Sequence, residues 1–261
     1  MTSPTDRVAV VLAASKGLGR ACAERLADDG WNLVVCSRTD EGVGATMAAL
    51  RGRGTGATGV TADVATVDGI ETVFAHADET YGRLDALVCN AGGPPPGAFL
   101  SLDDAAWERG HELTLMSAVR AMRQAIPRMR RAGYGRLIVL GSSSVRRPIP
   151  NLVLSNAYRP ALAGIVKSLA VELGPDGITA NMVSPGRLDT ERVRELDAKA
   201  AEYQGGTPEQ ARASSEASIP MGRYGEPADL AAFVAFLASE QAGYVTGQSV
   251  LVDGGLVPTI P

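Results

Sequence analysis

Seven short apolar runs, separated by longer amphipathic stretches, constrain what this 261-residue chain can fold into more than any other feature. The runs are VAVVLAA (8–14), NLVVCS (32–37), ATGVTADV (57–64), LDALVCNAG (84–92), GRLIVLGS (135–142), ITANMVSPG (178–186) and GQSVLVDGG (247–255). Strands buried on both faces of a parallel sheet read as continuous apolar runs of this kind. Amphipathic stretches at 18–29, 40–53, 67–81, 103–132, 156–174 and 227–238 lie between them. Together they predict an α/β fold: a Rossmann-like, doubly wound parallel sheet of about seven strands with helices on both faces. No repeat, low-complexity tract or linker divides the chain, so residues 1–261 read as one domain. The polar segment MTSPTDR at 1–7 is expected to fray, and the apolar tail LVPTIP at 256–261 to be covered in an oligomer.

Composition excludes several function classes. A net charge of −4 with scattered arginines gives no basic stripe for nucleic acid. The first apolar run is too short and β-branched for a signal or membrane helix, which predicts a cytoplasmic protein with no membrane partner. Cys22, Cys36 and Cys89 are far apart in apolar runs and read as buried, reduced thiols. With only two histidines and no cluster of ligand spacing, no metal site is expected.

Two segments break the alternation. GGPPPGAFL at 92–100 follows the fourth run, and a charged stretch at 187–219 follows the sixth. Connections of that length are usually binding loops or lids. Both follow the C-terminal ends of strands, where ligands of open α/β sheets bind.

The first run leads into Ala13-Ala14-Ser15-Lys16-Gly17-Leu18-Gly19 and then a helix. Glycines at a strand-to-helix turn let backbone approach a pyrophosphate, and the helix N-terminus favours its charge. A carboxylate at the end of the second strand would bind a ribose 2′-hydroxyl; here stand Ser37 and Arg38, which suit a 2′-phosphate. Lys16 offers a second cation nearby, so the expected cofactor is NADP(H). Asp63-Val64, after the third run, falls where an adenine edge would lie.

On these residues the chain resembles the short-chain dehydrogenase/reductase family, nearest its 3-oxoacyl-carrier-protein-reductase-like branch. The glycine turn, Ala62-Asp63-Val64, Cys89-Asn90-Ala91-Gly92, Ser142 with its following helix, Pro185-Gly186 with Thr190, and Val252-Asp253-Gly254-Gly255 carry the likeness over nearly the whole length. The resemblance implies cofactor contacts from Asn90, Ala91, Gly92, Arg159, Pro185, Gly186 and Thr190, a small-molecule substrate, and a homotetramer or homodimer. The family's catalytic Asn, Ser, Tyr and Lys fall on Thr114, Ser142, Ser155 and Arg159, so only the serine is kept. In the glycine loop Leu12 and Ala13 replace the usual Thr-Gly, a loss tolerable at negative φ. Ser155-Asn156 followed by Arg159, with the Gly92–Gly97 loop, resembles a divergent subgroup having S-N-x-x-R for Y-x-x-x-K.

Arginine cannot release a proton at neutral pH, and a serine hydroxyl is a poor acid. The proton then comes from Tyr158, Tyr203 or Glu202, or from water passed through Ser155 and Arg159, or the substrate needs no acid. Tyr158 fits core or subunit contact better. Pro160 implies that the helix starts late, with Ser155 or Asn156 as N-cap, or kinks. The function expected is NADP(H)-dependent hydride transfer to a C=O, C=N or activated C=C. A cyclase, dehydratase or isomerase on the same fold, or a non-catalytic NADP(H)-binding regulator, are the alternatives.

Overall fold

The computed structural model describes residues 7–53 and 56–260. Its strands are β1 (Val8–Val11), β2 (Asn32–Ser37), β3 (Ala57–Thr61), β4 (Ala86–Cys89), β5 (Gly135–Leu140), β6 (Ile178–Pro185) and β7 (Ser249–Val252). They form one sheet in the order β3-β2-β1-β4-β5-β6-β7, parallel throughout. The order reverses between β1 and β4, and such a switch point opens a crevice at the C-terminal strand ends. All seven expected runs become strands, each inside the residues named for it.

The helices are α1 (Gly17–Asp28), α2 (Asp40–Leu50), α3 (Val67–Tyr81), α4 (Asp104–His111), α5 (Ser117–Ala132), α6 (Val153–Leu173), α7 (Glu191–Gln204), α8 (Pro208–Ala217) and α9 (Pro227–Ala238). Side-chain alternation along the strands divides the core between the two faces of the sheet. Val8, Val10 and Leu12 pack with Phe74 of α3, Met129 of α5 and Val166 of α6. Ala9 and Val11 pack on the other face with Leu26 of α1, Leu50 of α2 and Leu230 of α9. Each fully buried Leu, Phe or Met contributes roughly 1.5–3 kcal/mol.

Several expectations are corrected. The stretch 103–132 is not one helix: α4 and α5 are joined by a π turn at Glu112–Met116, a feature that recurs at functional sites. The lid stretch folds into α7 and α8. Helix α6 starts early, at Val153, with Leu152 at its N-cap, so neither Ser155 nor Asn156 caps it. Pro160 lies in its interior and denies the Asn156 carbonyl its i+4 partner. The Asn156 side chain instead exchanges hydrogen bonds with both backbone groups of Ile149, at 3.0 and 2.9 Å, fastening the loop before the helix. The frayed segment expected at 1–7 lies outside the described residues except for Arg7. That residue is buried, stacks 4.2 Å from the Tyr134 ring centroid and pairs with Glu240. In the tail, Val257 is buried and Ile260 exposed, and Pro261 lies outside the described residues. No helix among the described residues is long and apolar enough to cross a membrane.

The three cysteines are free and buried, and burial pushes Cys22 and Cys89 up to about 12 and Cys36 up to about 11. None of the three should react with Ellman's reagent within minutes at about pH 8 in the native protein, and all three should react in guanidinium. Pro160→Ala restores a helix hydrogen bond, and urea denaturation should show a gain of about 1–2 kcal/mol.

Candidate active site and cofactor cleft

Helices α2, α3, α4, α7 and α8 are each capped by a Thr or Asp side chain that accepts a backbone N–H. Helices α1 and α6 are not: their N-caps, Lys16 and Leu152, make no side-chain capping bond. Both uncapped ends lie on the C-terminal side of the sheet. The first N–H groups of α1 are therefore open to an anion.

The turn before α1 is shaped by contacts from β2, from β4 and the residue after it, and from α2. Leu12 N donates to Val88 O at 3.1 Å, and Ala14 N to Cys36 O at 2.9 Å. The Asn90 amide donates to the carbonyls of Leu12 and Ala13 at 3.2 and 3.1 Å. Thr46, not singled out in the sequence, donates to Ala14 O at 3.1 Å from the buried side of α2. Gly19 admits no side chain, since a Cβ would stand 2.5 Å from the Asn90 amide nitrogen and 2.7 Å from Ala13 O. Gly17 has φ +57° and faces Thr190, whose methyl would be 3.7 Å from an added Cβ. Leu18 is half-buried and packs against the α1–α9 core. Ala13 does not meet the condition of a negative φ: it has φ +48°, a left-handed conformation that glycine adopts freely and that L residues other than Asn and Asp resist.

At the far edge of this cleft Ser37 is buried and Arg38 exposed, and no carboxylate pairs with Arg38 among the described residues. Gly42 is tight against them: a Cβ there would meet Ser37 Oγ at 2.3 Å and Ser15 Cβ at 3.1 Å. Lys16 does not join this group. Its ammonium pairs with Glu191 at the start of α7, so it ties the glycine turn to the lid. Asp63 is exposed and accepts from Ala65 N at 3.0 Å, whereas Val64 is buried in the core and presents no side chain to the cleft.

The other half of the cleft lies beyond β4 and β5. Ala91 and Gly92 follow β4. Pro185 ends β6, and Gly186 N donates to Val252 O at 2.9 Å with no room for a side chain against Asp253. Thr190 caps α7 by accepting from Val193 N at 3.3 Å. Ser142 Oγ accepts from Ser144 N at 3.1 Å, and Ser144 Oγ lies 3.1 Å from Ser155 Oγ. Ser144 thus links Ser142 to Ser155. It was missed in the sequence, where three consecutive serines gave no means of choosing among them. Ser144 and Ser155 are both buried.

Arg159 is half-buried, and its Nη1 donates to the carbonyls of Leu140 and Gly141, both at 2.8 Å. Burial, and secondarily the charge of Arg192, bring its pKa down to about 10, so it remains a cation at neutral pH. Thr114 is buried in the π turn, and its hydroxyl has no partner among the described residues. Thr114, Ser117, Asn90, Ala91, Leu140 and Arg159 line one hollow of about 10 Å³. That is about the size of one water.

The structure thus places Thr114 and Arg159 on one hollow, and joins Ser142 to Ser155 through Ser144 just beyond the strand end that Arg159 contacts. It does not bring Tyr158 there. The Tyr158 hydroxyl donates to Trp107 O at 3.1 Å, and its ring stacks edge-on to Trp107 at 5.9 Å. Tyr203 is 86 % exposed on α7, and Glu202 is exposed beside it.

Known proteins share this architecture. The family profile described as enoyl-(acyl carrier protein) reductase matches residues 12–257. With a match of that extent, the chain belongs to the short-chain dehydrogenase/reductase family. The short-chain reductase protein NovJ of Streptomyces niveus is 37% identical over 98% of this chain and 99% of its own. Among solved structures, an actinorhodin polyketide ketoreductase with NADPH has TM-score 0.94 at 33% identity, covering 99% of this chain and 100% of the other. YwfH, described as an NADPH-dependent reductase involved in bacilysin biosynthesis, has TM-score 0.93 at 27% identity, covering 97% and 99%.

The strained Ala13 yields a direct test. Ala13→Gly relieves the left-handed cost of a Cβ, partly offset by the greater freedom of glycine in the unfolded chain. Urea unfolding should show a gain of about 0.5–1 kcal/mol.

Proposed function

We propose that this chain is an NADP(H)-dependent oxidoreductase that transfers hydride to a C=O, C=N or activated C=C of a small organic substrate. The observation that carries the reading is the uncapped N-terminus of α1, placed between an Asn90-clamped turn and the unopposed Arg38. Open N–H groups suit a diphosphate, and a guanidinium beside Ser37 suits a 2′-phosphate. The residues fit the cofactor: Gly17, Gly19 and Gly42 keep side chains out of a cradle that any Cβ would fill or strain. Ser15, Lys16, Leu18, Asp63, Asn90, Ala91, Gly92, Pro185, Gly186 and Thr190 surround the rest of its path. That solved neighbours are described as NADPH-bound or NADPH-dependent supports the same choice.

A bound NADPH supplies the hydride. The protein must then orient the acceptor and manage the charge that develops on it. Ser142 presents a hydroxyl to the acceptor atom, and its position is fixed by the bond from Ser144 N. Arg159, anchored to two carbonyls by Nη1, lines the hollow and supplies positive charge without releasing a proton. Ser155 and Ser144 form a hydroxyl pair able to relay a proton between water and the cleft, while Thr114 offers a hydroxyl to the hollow beneath Arg159. None of these is a strong general acid, and losing one typically costs about 10²–10⁴-fold in rate. An iminium, quinone or activated enone, which accepts hydride readily, suits this site better than a simple ketone.

On this reading the chain is a member of the S-N-x-x-R subgroup. It is one domain over 1–261 with the lid at about 187–219, working as a cytoplasmic homodimer or homotetramer. Calorimetric titration should show micromolar NADPH binding, weakened about tenfold by Arg38→Ala, equivalent to about 1.4 kcal/mol. Absence of binding by NADPH, NADP⁺, NADH and NAD⁺ would defeat the reading. Binding without turnover of any imine, quinone or enone would leave a nucleotide-binding regulator.

A further inference from the structure

The lid carries three arginines near its start, and the structure treats them differently. Arg187 pairs with Asp197 at 2.9 Å, and the other oxygen of that buried carboxylate accepts from the Tyr224 hydroxyl at 2.9 Å. Arg194 pairs with Asp189 at 2.8 Å, which Arg212 also contacts at 3.1 Å. Both are spent on folding the lid.

Arg192 turns toward the strand ends. Its Nη2 donates to Pro94 O at 3.1 Å. A Cβ on Gly93 would lie 3.2 Å from its Nε and 3.3 Å from its Nη2, so the bare glycine lets the guanidinium rest against the backbone. Its carboxylate partner, Glu195, stands 3.5 Å away with half of its side chain in solvent. The loop that Arg192 touches continues from Asn90 and Ala91, which line the same hollow as Arg159. Arg192 is close enough for its charge to act on Arg159. Two neighbouring lid carboxylates are engaged elsewhere, Glu191 with Lys16 and Asp189 with Arg194 and Arg212. Two guanidiniums thus lie at one end of the cleft, and among the described residues no carboxylate pairs with Arg159. Thr114, buried with an unpartnered hydroxyl, opens on the same hollow.

Like charges held together repel, and an anion placed between them replaces that repulsion with two attractions. The planar arginine fork matches a carboxylate in particular. We propose that the substrate carries a carboxylate, received by Arg192 beside Arg159. This deepens the hydride-transfer reading and rests on it.

The probes are phenylglyoxylate and its neutral methyl ester, titrated into the NADP⁺-saturated protein, where no hydride is available to react. The carboxylate should bind about tenfold or more tightly than the ester. Arg192→Gln should abolish that preference by weakening the carboxylate alone, and Arg192→Lys should keep part of it. NADP⁺ affinity should be the same in all three proteins. Equal affinity for the two probes, failure of both to bind at about 10 mM, or equal weakening of both by Arg192→Gln overturns the proposal. In each of those cases, retained NADP⁺ binding leaves the hydride-transfer reading standing. Loss of NADP⁺ binding in the unmodified protein defeats that reading itself.

Discussion

The side-chain amide of Asn90 holds together the part of the molecule on which the rest depends. It leaves the end of β4, crosses the switch point and donates to the last carbonyls of the β1 turn. At that point the sheet has strands on both sides but the chain departs in opposite directions, so neither Leu12 nor Ala13 finds a strand partner for its carbonyl. A buried carbonyl without a partner is costly. One amide meets both needs and holds the turn against α1. Gly19 follows as a necessity, because the amide occupies the space its side chain would need.

The cleft has two halves of unequal completeness. The cofactor half is built from open N–H groups, missing side chains and an unopposed Arg38, all of which await an anion. On the proposed reading the substrate half is built from hydroxyls and guanidiniums, none of which gives up a proton near neutral pH. The π turn connects the halves: it inserts an extra residue between α4 and α5 and leaves the Thr114 hydroxyl unpartnered above the hollow. The price of this arrangement is visible in strain at Ala13 and in the interior proline of α6. Both sit next to the cleft, where departures from local preference are expected to concentrate.

Much of the architecture was legible. Buried parallel strands leave continuous apolar runs, and the order of elements sets the topology of an open α/β sheet. The contacts were less so. Lys16 was grouped with Arg38 because the two are near the same cleft, but its long side chain reaches Glu191 in a distant segment. Val64 was placed at an adenine edge, but alternation along the chain turns it into the core. Ser144 and Thr46 gave no signal, because a serine in a serine run or a threonine in a helix looks the same whether or not its hydroxyl has a distant partner.

The sequence by itself determined the class of fold and the position of the glycine turn. Those follow from residue identity and spacing along the chain. Only the tertiary structure decided how the three lid arginines are paired, where Tyr158 points, and that Ser142 reaches Ser155 through Ser144. Each depends on which acceptor or carboxylate a side chain meets across the fold, and hydrogen bonds a few ångströms long between residues far apart in sequence leave no periodic trace in it.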